Sequence, residues 1–144
     1  VIVIGDTSGL VSAFNADDSG QAAARSALQQ ASVTVISTLV IAEIEHIMTR
    51  NIDRNSAHAA IDWLLAQERA TRILVPESAA PVLRRARTVQ ERYAALRLDL
   101  ADSVNVVLAA EYETNYFLTL DGRDFRAIRP LTHHPAFRLL PDDW

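Results

Sequence analysis

Four carboxylates stand where solvated charges do not usually stand. Asp6 follows the apolar run Val1–Gly5, and Glu43 lies inside Leu39-Val40-Ile41-Ala42-Glu43-Ile44. Asp102 opens the apolar stretch Ala101–Tyr112, and Asp121 follows Tyr116–Leu120. Charges in such surroundings are seldom buried unless they are paired or bind a metal. Each has an ordinary explanation when taken alone. Asp6 can cap a helix at Thr7 or Ser8, and Glu43 can pair with an Arg. Asp102 can share a capping box with Asp99 or sit by a helix dipole, and Asp121 can begin a turn with Gly122. The four together, at strand ends and helix starts, are harder to explain in that way.

Gly5-Asp6-Thr7-Ser8 also invites comparison with a Gly-Asp-Ser esterase, and the comparison fails twice. Position 7 is Thr, and that chemistry takes its base from Asp-x-x-His. Glu43, Asn55, Pro130 and Leu131 stand three residues before His46, His58, His133 and His134. The histidines do not group as zinc ligands on one rigid element, and there is no Cys, so thiolate sites and cysteine nucleophiles are excluded. All 14 cationic side chains are Arg. The absence of Lys removes the phosphate-binding loop of nucleotide hydrolases and Schiff-base chemistry. A net charge of −4 argues against a general nucleic-acid coat protein but leaves room for an acidic site beside a basic surface. No apolar run approaches the roughly 20 residues of a membrane span, and no signal-peptide layout is read. A cytoplasmic protein without membrane association is expected.

The carboxylates need elements to hold them. Val1–Gly5, Val33–Ser37, Arg72–Val75, Tyr116–Leu120 and Phe137–Leu140 read as short strands, β-branched or apolar and closed by polar or Pro residues. Helical patterns cover Ser8–Phe14, Gln21–Gln30, Thr38–Arg50, a segment capped by Asn55 or Ser56 and ending near Ala70, Glu77 to about Leu96, and Ala101–Tyr112. Asp121–Phe125 reads as a sharp turn. The alternation predicts a single α/β domain over residues 1–144, with a parallel sheet of about 4–5 short strands covered by helices on both faces. In such sheets ligands gather beyond the carboxyl ends of the strands, near a topological switch point, which draws attention to Asp6 and Asp121.

The motifs I-x-D-T-S, A-E-I-E-H, L-A-D-S-V-N-V-V-L-A-A-E-Y and L-T-L-D-G-R-D-F-R-A-I-R-P succeed one another in this order. Together they resemble a PIN domain, and more narrowly the VapC toxins of bacterial toxin–antitoxin pairs, from Val1 to about Pro130. The resemblance implies a PIN-like three-layer fold and a catalytic, metal-holding set of Asp6, Glu43, Asp102 and Asp121. It further implies supporting roles for Thr7, Ser8 and Thr119, with Asp124 at a position that some members use. Glu45 and Asp99 offer second acids beside Glu43 and Asp102. Positions two apart on a helix face nearly opposite ways, so Glu45 cannot share the role of Glu43. Asp99 is placed to cap the helix that carries Asp102 in its first turn.

Two carboxylates ~4 Å apart repel by roughly 4 kcal/mol at an effective dielectric of ~20. Four in one pocket therefore take up protons or a cation, and hard oxygen ligands select Mg²⁺ or Mn²⁺. The activity that the resemblance implies is endonucleolytic hydrolysis of RNA to inhibit growth or translation, leaving a 5′-phosphate and a 3′-hydroxyl. The partners it implies are a cognate VapB-type antitoxin, laid over apolar residues such as Leu10, Val11, Phe14 and Leu28, and a second copy of the chain in a homodimer. Arg84, Arg85 and Arg87 form the densest basic stretch and are candidate RNA contacts, against the alternative of a solvated face. A PIN nuclease that is not a toxin, or a catalytically silent interaction module of the same fold, remain as rival readings.

Overall fold

Ile2–Gly5 is too short and too apolar to be stable except in the middle of a sheet, and that is where it lies. A computed structural model describes residues 1–144. Five strands, β1 (Ile2–Gly5), β2 (Val33–Val35), β3 (Ile73–Leu74), β4 (Tyr116–Leu118) and β5 (Arg138–Leu140), form one sheet in the order β3-β2-β1-β4-β5. Every neighbouring pair is parallel. Ile4 stands level with Val35 on one side and Phe117 on the other. The chain runs from β1 to β2 in one direction and returns to β4 in the other, so the strand order reverses beside β1. Parallel strands end on the same edge, which puts Asp6 beside the residues that come after β4.

Seven helices cover the sheet: α1 (Thr7–Phe14), α2 (Gln21–Gln30), α3 (Thr38–Asn51), α4 (Arg54–Arg69), α5 (Ala80–Arg92), α6 (Leu100–Glu111) and α7 (Gly122–Ala127). Consecutive strand residues point to opposite faces, and the two cores divide along that alternation. Val3, Leu118 and Leu140 join Leu10, Ile44, Met48 and Leu64 on the face covered by α1–α4. Ile4, Phe117 and Leu139 join Val104, Val107, Leu108 and Phe125 on the face covered by α5–α7. No helix is long and apolar enough to cross a membrane.

Some element boundaries differ from those expected, each for a local reason. The helix expected from Glu77 starts at Ala80. Starting it earlier would put Pro81 in a helix interior, where its ring clashes with the carbonyl four residues back. The cap of α4 is Asp53, whose carboxylate accepts from the Ser56 N–H at 2.6 Å, and not Asn55 or Ser56. The segment expected as a turn at Asp121–Phe125 is the short helix α7, fixed by Phe125 edge-on to Phe117 at 4.6 Å between ring centroids.

One glycine controls how closely the two halves of the site approach. A Cβ on Gly9 of α1 would lie 2.6 Å from the Leu118 carbonyl oxygen and 2.8 Å from its carbon. Only a bare backbone lets α1 lie against the end of β4. Gly to Ala in an exposed helix interior gains up to about 1 kcal/mol. Here the clash is with backbone that cannot swing aside, and overpacking costs about 1–3 kcal/mol. Gly9→Ala is therefore expected to destabilise the protein in urea unfolding; an unchanged or higher midpoint would contradict this packing.

Candidate active site: an acidic cleft at the sheet edge

Asp6 is the first residue beyond β1 and is 5% exposed. It occupies the N-cap position of α1, but its side chain makes no capping bond. Its carboxylate faces the cleft instead. Oδ2 accepts from Thr119 Oγ1 at 2.9 Å and from Ser8 Oγ at 3.2 Å. Oδ1 accepts from Asn105 Nδ2 at 3.3 Å. The two hydroxyls are 3.1 Å apart, and each also accepts a backbone N–H, Leu120 to Ser8 and Asp121 to Thr119. The turn after β4 is thereby tied to the first turn of α1.

Glu43 reaches the same place from α3, whose start is fixed by the Ser37 hydroxyl accepting from the Leu39 N–H at 3.0 Å. Thr7 Oγ1 donates to Glu43 Oε1 at 3.0 Å. Glu45 turns away, as its spacing predicts, and lies 3.5 Å from His58. Asp99 caps α6, accepting from the Asp102 N–H at 2.8 Å, and Asp102 sits in the first turn as expected. Asp121 is exposed at the rim.

These groups line one open cleft of about 410 Å³. Its wall holds six carboxylates (Asp6, Asp18, Glu43, Asp99, Asp102, Asp121) and no Arg or His, with Val11, Ile47 and Leu120 as its apolar part. The structure thus brings together Asp6, Glu43, Asp102 and Asp121, along with Thr7 and Ser8; Thr119 lies just beneath, bonded to Asp6. Asp124 is half-buried in the first turn of α7 and does not line the cleft. Arg84, Arg85 and Arg87 are exposed on α5 and do not line it either. Arg85 lies 3.6 Å from Glu111, at the opposite end of α6 from Asp102, and Arg87 pairs with Glu91 along its own helix. Asn105, Asp18 and Ser12 are site residues that the sequence reading misses. A polar residue within an apolar helix is the available signal for Asn105.

Crowding of like charge in a partly dry site shifts the carboxyls upward. Burial raises Asp6 despite the donors from Thr119 and Ser8. Burial raises Glu43 against the bond from Thr7, helped by the charges of Asp99 and Asp6. Asp102 is pushed up to about 8, first by burial and then by the negative charges of Asp6, Asp99 and Glu43. The α6 N-terminus favours an ionised Asp102, but burial and three neighbouring carboxylates outweigh it. As the side chains stand, no three of them converge tightly enough to cage an ion. The donor set nevertheless fits a hard divalent cation: oxygen-only ligands, several negative charges, and no internal cation to neutralise them.

A sequence model of the PIN domain matches residues 3–130. The chain is 33% identical over 133 residues to ribonuclease VapC26 of Mycobacterium tuberculosis, covering 88% of this chain and 91% of that one. Its fold is similar to the crystal structure of VapC20 from the same organism, a toxin that cleaves the sarcin–ricin loop (TM-score 0.73, 20% identity, 85% of this chain and 91% of that one). It is also similar to a chain of a toxin–antitoxin complex from Klebsiella pneumoniae (TM-score 0.62, 18% identity, 94% of this chain and 98% of that one).

The upward shifts fix the sign of a pH effect. A carboxyl whose folded pKa lies above its unfolded value holds an extra proton in the folded state between the two values, so stability falls as pH rises through that window. Asp6, Glu43 and Asp102 all shift this way, the last to about 8. The melting temperature of the metal-free protein is therefore expected to fall from about pH 5 to about pH 8. Asp102→Asn should flatten the upper part of that slope, and saturating Mg²⁺ should remove it. A melting temperature that rises over this range would refute the assignment.

Proposed function

This chain belongs to the PIN-domain family as a VapC-type ribonuclease toxin of a toxin–antitoxin pair, and we propose that Asp6, Glu43, Asp102 and Asp121 are its catalytic carboxylates and hold Mg²⁺ or Mn²⁺. The observation that carries this reading is the convergence of these four side chains, from four separate segments, on one cleft at the strand reversal. A bound divalent cation supplies Lewis-acid activation of water and neutralises the charge that develops on the phosphodiester. The chain's own groups do the rest. Thr119 and Ser8 hold Asp6, and Thr7 holds Glu43, so both carboxylates present fixed oxygens to the cleft. Asp99 anchors the helix turn that carries Asp102. Because water and not the ribose is the nucleophile in this reading, the products are a 5′-phosphate and a 3′-hydroxyl. Asp124 lies outside the cleft and has no part in this reading; the α5 arginines, also outside it, enter only as outlying contacts to a long RNA. The family resemblance also supports a homodimer acting in the cytoplasm.

The antitoxin partner has a fitting surface. A groove of about 200 Å³ between α1, α2 and α4 is lined by Ala13, Phe14, Arg25, Leu28, Gln29 and Trp63. Phe14 and Leu28 belong to the set expected from sequence, whereas Leu10 is wholly buried in the core and unavailable. Trp63 is an addition to that set; it is 44% exposed and meets Phe14 edge-on at 5.6 Å between centroids. An amphipathic antitoxin helix seated there buries both rings.

Two measurements test these proposals. Sequencing of RNA 5′ ends after induction is expected to reveal discrete new cuts, abolished by Asp102→Asn and largely retained by Asp99→Asn, which is still a competent cap. The reverse pattern would move the catalytic role to Asp99. For the partner, the product of a small gene immediately upstream is expected to co-purify with this chain. Trp63→Glu should weaken that complex by about 2 kcal/mol or more, roughly 30-fold, without lowering cleavage. A complex unaffected by the substitution would place the antitoxin elsewhere.

A further inference from the structure

Asn105 does not behave like a residue kept for stability. It is 0% exposed, in a stretch of α6 where Val104, Val106, Val107, Leu108 and Ala109 are equally buried. Its Nδ2 donates to Asp6 Oδ1, and its own Oδ1 has no hydrogen-bond partner. Buried amides in native proteins are generally satisfied at both ends. An orphaned buried acceptor costs about 1–3 kcal/mol. Leu has the same branched heavy-atom skeleton and carries no such cost.

Turning the amide over would not help, because it would set the carbonyl oxygen against a carboxylate. The orientation is therefore dictated by Asp6, and the unsatisfied oxygen is its consequence. The two oxygens of Asp6 are also treated differently. Oδ2 has two hydroxyl donors, Thr119 and Ser8, whereas Asn105 is the side-chain donor on Oδ1. Remove it and the side-chain donors hold the carboxylate at one oxygen only.

We propose that Asn105 is a positioning residue that fixes the rotation of the Asp6 carboxylate, so that Oδ1, which keeps a lone pair free, faces the cleft and binds the cation. Asn105 stands three residues after Asp102 on α6, so one helical turn carries one group into the cleft and another onto Asp6. The register of α6 therefore sets the positions of two of the carboxylates together. This inference rests on the cation reading proposed above.

The test is Mn²⁺ binding to the otherwise metal-free protein, monitored by electron paramagnetic resonance, with thermal melts in parallel. Asn105→Leu is expected to bind Mn²⁺ about 10–100-fold more weakly, the usual loss when a ligand's supporting partner is removed. Asn105→Ser, which is smaller and too short to reach Asp6, should show the same loss and serves if the Leu variant packs poorly. Val107→Ala, on the same buried helix without a polar contact to Asp6, should lower the melting temperature and leave the affinity unchanged. Wild-type affinity in both Asn105 variants, or an equal loss in Val107→Ala, overturns the proposal. Asp6→Asn separates the two levels. If it binds Mn²⁺ normally, the cation reading and this inference fall together; if it binds weakly while the Asn105 variants bind well, only this inference falls.

Discussion

The burial of one ionisable group at the end of the central strand organises the carboxylate-lined edge of this molecule. Asp6 leaves water at the point where the strand order reverses, and a carboxylate in such a place must be given donors. They come from three parts of the chain: Ser8 in the first turn of α1, Thr119 after β4, and Asn105 on α6. Each donor imposes a packing condition. Ser8 reaches Thr119 only because Gly9 lets α1 lie on the Leu118 backbone. Thr119 is adjacent only because β4 is the parallel neighbour of β1. Asn105 arrives only because α6 begins where Asp99 caps it. Loosening any of these contacts leaves a buried charge less well held.

The same cleft gathers like charges that the fold does not balance. No cationic side chain lines it, and Asp102 responds by holding its proton up to about 8. Two of the arginines that precede Asp102 in sequence are paired elsewhere, Arg85 with Glu111 and Arg87 with Glu91. The counter-charge for the cleft therefore has to come from outside the fold. Folding stability and readiness to accept a cation are opposed here, because the repulsion that weakens the empty cleft strengthens the affinity for what enters it.

Much of this is legible in the sequence because it rests on local rules. Val3 and Ile4 announce a strand buried on both faces, and they do enter different cores. Asp99 preceding an apolar helix announces a cap, with Asp102 in the first turn behind it. Four carboxylates beside apolar runs announce a shared pocket, and they share one. The features that escape depend on tertiary direction. Asn105 stands out as polar in an apolar helix, yet nothing local says it meets Asp6 across 99 residues. The α5 arginines precede Asp102 closely in sequence, but the helix carrying them runs back along α6, so Arg85 meets its far end. Trp63 belongs with Phe14 only once α4 is packed beside α1. The start of α5 is open to local reasoning through Pro81, and the cap of α4 through the Asp53-to-Ser56 spacing.

The division of β1 between two cores bears on how this protein can change over generations. Val3 faces the α1–α4 side and Ile4 the α5–α7 side, and Asp6 comes directly after the strand. Exchanging one apolar side chain for another in this strand alters volume and little else. Adding or deleting one residue reverses every side chain beyond it. Each core then receives the side chain shaped for the other, and the carboxylate at the end of the strand turns off the cleft. A change of spelling between Val3 and Asp6 is therefore a local matter of volume, whereas a change in the number of residues between them disturbs both cores and the cleft at once.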